Sequence, residues 1–177
     1  MGLKVIRSFY WRPNYEEVAV SVRLHLVLVG KTAEEDLDGA IHRYVKRLQH
    51  YVPIEVHLIR EEKIRKGVAE RLILERESER ILDFIKDRGF LLVWDRSGRE
   101  VNSPDLAALL ERLQNQGMGH VWMVVGGALG VSEKLLTRAD LVLALSRLTF
   151  PHDIARLLVV EQLYRAFTIT RGEPYHK

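Results

Sequence analysis

The chain contains no cysteine among its 177 residues. Disulfides, thiolate catalysis, iron–sulfur clusters and cysteine-ligated zinc are therefore excluded, and the cytosol is the simplest expected location. Apolar runs are short. None approaches the ~20 residues needed to cross a bilayer, so no membrane partner is expected. Residues 1–21 hold two early basic residues but no apolar core of signal-peptide length, and Glu16 and Glu17 are out of keeping with a transit peptide. Glycine-rich nucleotide signatures are missing as well. Gly30-Lys31-Thr32 follows an apolar strand, but the phosphate loop needs a glycine at the position of His25, and no G-x-G-x-x-G occurs. There is no H-E-x-x-H and no G-x-S-x-G. The seven histidines (His25, His42, His50, His57, His120, His152, His176) are dispersed along the chain, so a protein-built metal site is not expected.

What remains is an ordinary globular composition, 47% hydrophobic and 29% charged, with a formal net charge of +3. The apolar fraction suffices for one sizeable core, and the mild positive charge is compatible with an RNA partner without identifying one. The segment from Arg60 to Arg88 carries nine basic and eight acidic residues, the near balance of a solvated helix face.

From Val22 onward, short apolar runs alternate with helical patterns. VRLHLVLV (22–29), IEVHLI (54–59), FLLVWD (90–95), HVWMVV (120–125) and LVLAL (141–145) read as strands. Between them, Thr32 and Glu35 suggest a capping box, and Ser103-Pro104 suggests an N-cap followed by N1 proline. Arg96-Ser97-Gly98 reads as a turn, and Asp153 to about Phe167 as the last helix, capped by His152 or Asp153. Five strands separated by helices predict a mostly parallel, doubly wound α/β sheet in one domain, with residues 1–21 as an N-terminal appendage. The final helix is apolar nearly all round, through Ile154, Leu157, Leu158, Val159, Val160, Leu163, Ala166 and Phe167. Such a helix needs burial on more than one side, which predicts a symmetric homodimer.

Two segments carry the functional signal. Gly126-Gly127-Ala128-Leu129-Gly130 follows a buried strand, where glycines let backbone approach a ligand closely. Leu145-Ser146-Arg147-Leu148-Thr149-Phe150-Pro151-His152 combines hydroxyls, a cation and an imidazole at another strand end. The strand ends after Trp94, Val125 and Leu145 fall on one edge of a parallel sheet and together predict one pocket for a planar base.

GGALG, LSRLTFPH and the C-terminal EQLYRAFTITRGEPYHK resemble the bacterial large-subunit ribosomal RNA pseudouridine methyltransferase family, of the SPOUT class of S-adenosylmethionine-dependent RNA methyltransferases. The resemblance extends from Val22 to Lys177. It implies a sheet with a C-terminal trefoil knot, a homodimer, and the methyl donor bound by Trp94, Gly126, Leu145, Ser146, Arg147, Leu148, Thr149 and Phe150. The implied product is N3-methylpseudouridine in the intersubunit hairpin of 23S ribosomal RNA, made on the assembled ribosome. The N3 proton must leave before or during attack, which makes His176, Tyr175 and Arg165 the candidates for base or anion stabilisation. Arg171, Lys177 and His152 are the candidate RNA contacts. Two readings compete with this one: a knotted enzyme acting on transfer RNA, and a non-catalytic ribosome assembly factor with a vestigial pocket.

Overall fold

The computed structural model describes residues 22–64, 66–85 and 89–176; the 1–21 appendage, Lys177 and the side chain of His176 lie outside the described residues. Five strands form one sheet: β1 (Arg23–Val29), β2 (Ile54–Ile59), β3 (Phe90–Glu100), β4 (His120–Val125) and β5 (Leu141–Ala144). Their order is β2-β1-β4-β3-β5 and every pairing is parallel. Both faces are covered, which explains why the inner strands read as unbroken apolar runs.

On one face lie α1 (Glu35–Leu48), α3 (Ser103–Asn115) and α5 (His152–Thr170), with α5 packed against both others. Leu24, Leu26 and Leu28 of β1 meet Val45, Leu48, Leu110 and Leu163 in this core. On the opposite face, α2 (Glu70–Ile85) and α4 (Glu133–Arg138) cover Val27, Val29, Val93 and Val124. The alternation along β1 thus sends successive side chains to different helix layers.

Four local expectations are corrected. The Thr32–Glu35 capping box does not form: α1 starts at Glu35 with Glu34 at the N-cap and no side-chain cap. The Thr32 hydroxyl instead accepts a hydrogen bond from Arg156 Nη1 at 3.2 Å. Helix α3 begins one residue early, capped by Asn102, whose Oδ1 accepts from the Asp105 amide at 2.7 Å, while Ser103 Oγ donates to Gln162 Oε1 at 2.6 Å. Asn102→Ala is therefore expected to cost about 1 kcal/mol in chemical denaturation, with Ser103→Ala acting only through its α5 contact.

Third, β3 continues to Glu100 instead of turning at Arg96. Leu143 pairs with both Trp94 and Arg99, so the intervening residues form a bulge within the strand. Gly98 is required there, since a Cβ would sit 2.5 Å from the Leu143 carbonyl carbon. Fourth, α5 starts at His152 with Pro151 at its N-cap and runs on to Thr170; neither His152 nor Asp153 caps it.

Two charged side chains fasten the start of α5 to the end of β1 and the residues just after it. Arg156 is 0% exposed; its guanidinium donates to the Val29 carbonyl oxygen and to Asp153 Oδ1 (3.2 Å). Asp153 Oδ2 accepts from the Ala33 amide at 2.9 Å. Burial holds the Arg156 guanidinium below the usual arginine range, and the Asp153 carboxylate opposes that shift.

Candidate functional site

The strand ends after β3, β4 and β5 meet on one sheet edge, where they wall a cleft of about 630 Å³. Its first wall is the β3 bulge, Asp95 to Ser97. Asp95 Oδ1 accepts from the Ser97 amide (2.9 Å) and from Ser97 Oγ (2.6 Å), which curls the bulge toward the opening. The second wall is the glycine loop after β4. Gly127 and Gly130 form an isolated bridge, with the Gly130 amide donating to the Gly127 carbonyl at 3.1 Å. A Cβ on Gly126 would lie 2.5 Å from the Gly130 carbonyl oxygen, so only glycine lets the loop fold back this tightly. The third wall is the loop after β5, where Ser146 Oγ accepts from the Leu148 amide at 3.0 Å.

Of the residues expected to bind a donor, Trp94, Gly126, Leu145, Ser146, Leu148, Thr149 and Phe150 all line this cleft. Arg147 does not: it is exposed and its Nε pairs with Glu100 at 3.3 Å. Leu148 is 72% exposed and Phe150 is also exposed, and the two form an apolar rim left open among the described residues. Trp94 is buried, and its Nε1–H has no acceptor among the described residues. A ligand offering apolar surface to Leu148 and Phe150 and an acceptor to that indole suits the cleft; a nucleoside joined to an amino acid has both.

His152, expected as an RNA contact, also lies on the cleft, its Nε2 3.1 Å from Asp153 Oδ1. The lining includes residues outside the expected set, among them Asp95, Glu133 and Ala155. The D-R-S-G composition of the bulge was the available sign for Asp95; for Glu133 and Ala155 no local pattern gave one.

Arg165, Tyr175 and Arg171 are elsewhere. Arg165 lies more than three turns beyond His152, about 20 Å along α5, and Arg171 is exposed at its C-cap. Arg165 Nε and Nη2 donate to Glu161 Oε1 at 3.0 and 2.6 Å, and its guanidinium sits over the Tyr175 ring, 4.9 Å from the centroid. The Glu161 hydrogen bond pushes the Arg165 guanidinium above its usual range. Tyr175 Oη lies 3.0 Å from Tyr44 Oη and donates to Glu161 Oε1 at 3.2 Å. Burial first, then the Tyr44 hydrogen bond, pushes its phenol up, so at neutral pH it is a donor and not a base.

Residues 22–176 match the family described as predicted SPOUT methyltransferase. The chain is 55% identical over 157 residues to the ribosomal RNA large subunit methyltransferase H of Syntrophobacter fumaroxidans, covering 88% of this chain and 100% of that protein. It is 39% identical over 159 residues to the protein of the same name from Clostridium acetobutylicum, with the same coverage. Among solved structures, a methyltransferase of Bordetella pertussis aligns with a TM-score of 0.54 at 14% identity, covering 84% of this chain and 98% of that one. A methylase family protein of Haemophilus influenzae aligns with a TM-score of 0.51 at 13% identity, covering 89% and 71%. These two share the fold. With the family matched across the whole described domain, this chain belongs to the SPOUT methyltransferases.

Proposed function

We propose that this protein transfers the methyl group of S-adenosylmethionine to N3 of a pseudouridine in the intersubunit hairpin of 23S ribosomal RNA, on the assembled ribosome. The observation that carries this reading is the three-walled cleft, built from the GGALG and LSRLTFP segments in a chain 55% identical to a ribosomal RNA large subunit methyltransferase over that relative's full length. The reading includes a trefoil-knotted C-terminal region, a homodimer and a cytoplasmic location.

The bound donor supplies an electrophilic methyl on a sulfonium. This chain's residues contribute binding and alignment, since nucleophile, methyl carbon and leaving sulfur must lie in line. Leu145, Leu148 and Phe150 offer apolar surface, Trp94 Nε1 offers a hydrogen bond, and the tight glycine loop brings backbone close. On the RNA side, Arg165 is held cationic by Glu161 and Tyr175 is held protonated. Both suit stabilisation of the anion that develops on the uracil oxygens as N3 loses its proton. His176 has the imidazole chemistry to take that proton, while Arg171 and Lys177 suit phosphates and His152 the rim of the cleft. In one chain the Arg165–Tyr175 group is remote from its own cleft. A homodimer in which the tail of one subunit meets the cleft of its partner unites them, and the partly exposed Leu157 and Leu158 of α5 offer apolar surface for that contact.

The test is methyl transfer from labelled S-adenosylmethionine to unmodified ribosomes, separated large subunits and bulk transfer RNA. Label in the 23S RNA of assembled ribosomes alone is the expected result. Label in transfer RNA, or donor binding without transfer to any RNA, overturns it in favour of the tRNA or assembly-factor reading. Deleting residues 175–177 is expected to leave donor affinity, measured by calorimetry, within twofold, and to lower methylation by roughly 100-fold. Equal loss of both would contradict the separation of cleft and tail.

A further inference from the structure

The dispersed histidines do not stay dispersed. His25 of β1, His57 of β2 and His120 of β4 stand on three adjacent strands, on the face covered by α2, and converge near the edge opposite the cleft. His25 is 5% exposed and has an imidazole on each side: its Nδ1 is 3.0 Å from His57 Nε2, and its Nε2 is 2.8 Å from His120 Nδ1. Glu55, opposite His25 in the β1–β2 register, completes the group, with Oε2 3.8 Å from His25 Nδ1 and 3.7 Å from His57 Nε2.

We propose that His25 Nδ1, His57 Nε2 and Glu55 Oε2 bind one divalent transition-metal ion of zinc type. The three atoms are 3.0, 3.7 and 3.8 Å apart. The circle through points so spaced has a radius of about 2.0 Å, the length of a zinc–nitrogen or zinc–carboxylate bond. An ion just above their plane therefore reaches all three without backbone movement. Two imidazoles and one carboxylate are a zinc donor set, and half-exposed Glu55 leaves a fourth position open to water.

The surroundings already have the form of an outer shell. Arg23 Nη1 holds the other carboxylate oxygen, Glu55 Oε1, at 2.5 Å, which turns Oε2 toward the imidazoles. His25 Nε2 lies 2.8 Å from His120 Nδ1, and the tautomer that carries its proton on Nε2 and donates to His120 leaves His25 Nδ1 free as a ligand. Trp122 stacks on His25 with ring centroids 4.0 Å apart, and Phe84 lies against both Trp122 and His57, fixing the ring planes. Counted along the strands, the group lies about 15 Å from the cleft, so the ion's role is structural: it ties edge strand β2 to β1.

The test uses the full-length, tag-free chain stripped with chelator and then titrated with zinc by calorimetry and with cobalt(II) by visible absorption. Expected are one ion per chain at micromolar affinity or tighter, the intense visible bands of four-coordinate cobalt, and a raised Tm. His57→Gln and Glu55→Gln replace accessible ligands and are each expected to weaken binding by at least roughly tenfold. His42→Gln, on the exposed face of α1, is expected to change nothing. Absence of binding means an imidazole chain without an ion and overturns the proposal. Binding unmoved by His57→Gln and Glu55→Gln overturns it equally. No readout depends on methyl transfer.

Discussion

Gly126→Ala is expected to lower methyl transfer by about 100-fold or more and to weaken donor binding with it. The added Cβ would sit 2.5 Å from the Gly130 carbonyl oxygen and 2.7 Å from its carbonyl carbon. Both are backbone atoms of a loop closed by the Gly127–Gly130 bridge, so neither yields as a flexible side chain would. The loop must open, carrying Ala128 and Leu129 away from their places on the wall. Calorimetry and single-turnover methylation on the same preparation check this, beside Glu111→Gln, exposed on α3 and away from the cleft, as a control within about twofold. A Gly126→Ala protein within a few-fold of the parent in both would show that the cleft does not depend on how this loop closes.

Arg156→Met is expected to be the most damaging single change to stability. The methionine matches the stem in bulk but leaves Asp153 with a buried charge and the Val29 carbonyl without its guanidinium donor. Removing one partner of a buried pair costs about 3–5 kcal/mol, and for a domain of this size that lowers Tm by on the order of 10 °C. Adding Asp153→Asn to Arg156→Met is expected to recover part of the loss. The amide keeps an acceptor for the Ala33 N–H and removes the stranded charge. Thermal and denaturant melts of both variants decide the matter; a single mutant within about 1 kcal/mol of the parent would mean that Arg156 is spectator packing.

The order of elements was legible because each strand and helix carries its own periodicity. All five strands were located from apolar runs, and the three strand ends that wall the cleft followed from parallel geometry. The misreadings arose where a distant partner overrides a local signal. Thr32 has the composition of a cap, but Arg156, far along the chain, takes its hydroxyl. Arg96-Ser97-Gly98 has the composition of a turn, but Leu143 pairs on both sides of it and keeps it within the strand. Strand order is likewise a long-range property: nothing in HVWMVV indicates that it inserts between β1 and β3. The convergence of His25, His57 and His120 follows from that order and could not be read before it. Arg165 and Tyr175 were singled out together and do lie together, yet their distance from the cleft depends on the length and direction of α5.

The insertion of β4 also governs how the chain is built. β1 pairs with β2 through the crossover that contains α1, but its other partner is synthesised almost a hundred residues later, as the His25–His120 contact shows. Until residues 120–125 arrive, the inner edges of both β1 and β3 are open hydrogen-bonding templates in a half-made sheet. Closing them requires β4 to enter between two strands that already exist. Such non-local pairing is slow and leaves apolar edges exposed while it waits. The docking of one six-residue strand at the centre of the sheet is accordingly the step expected to limit the folding rate.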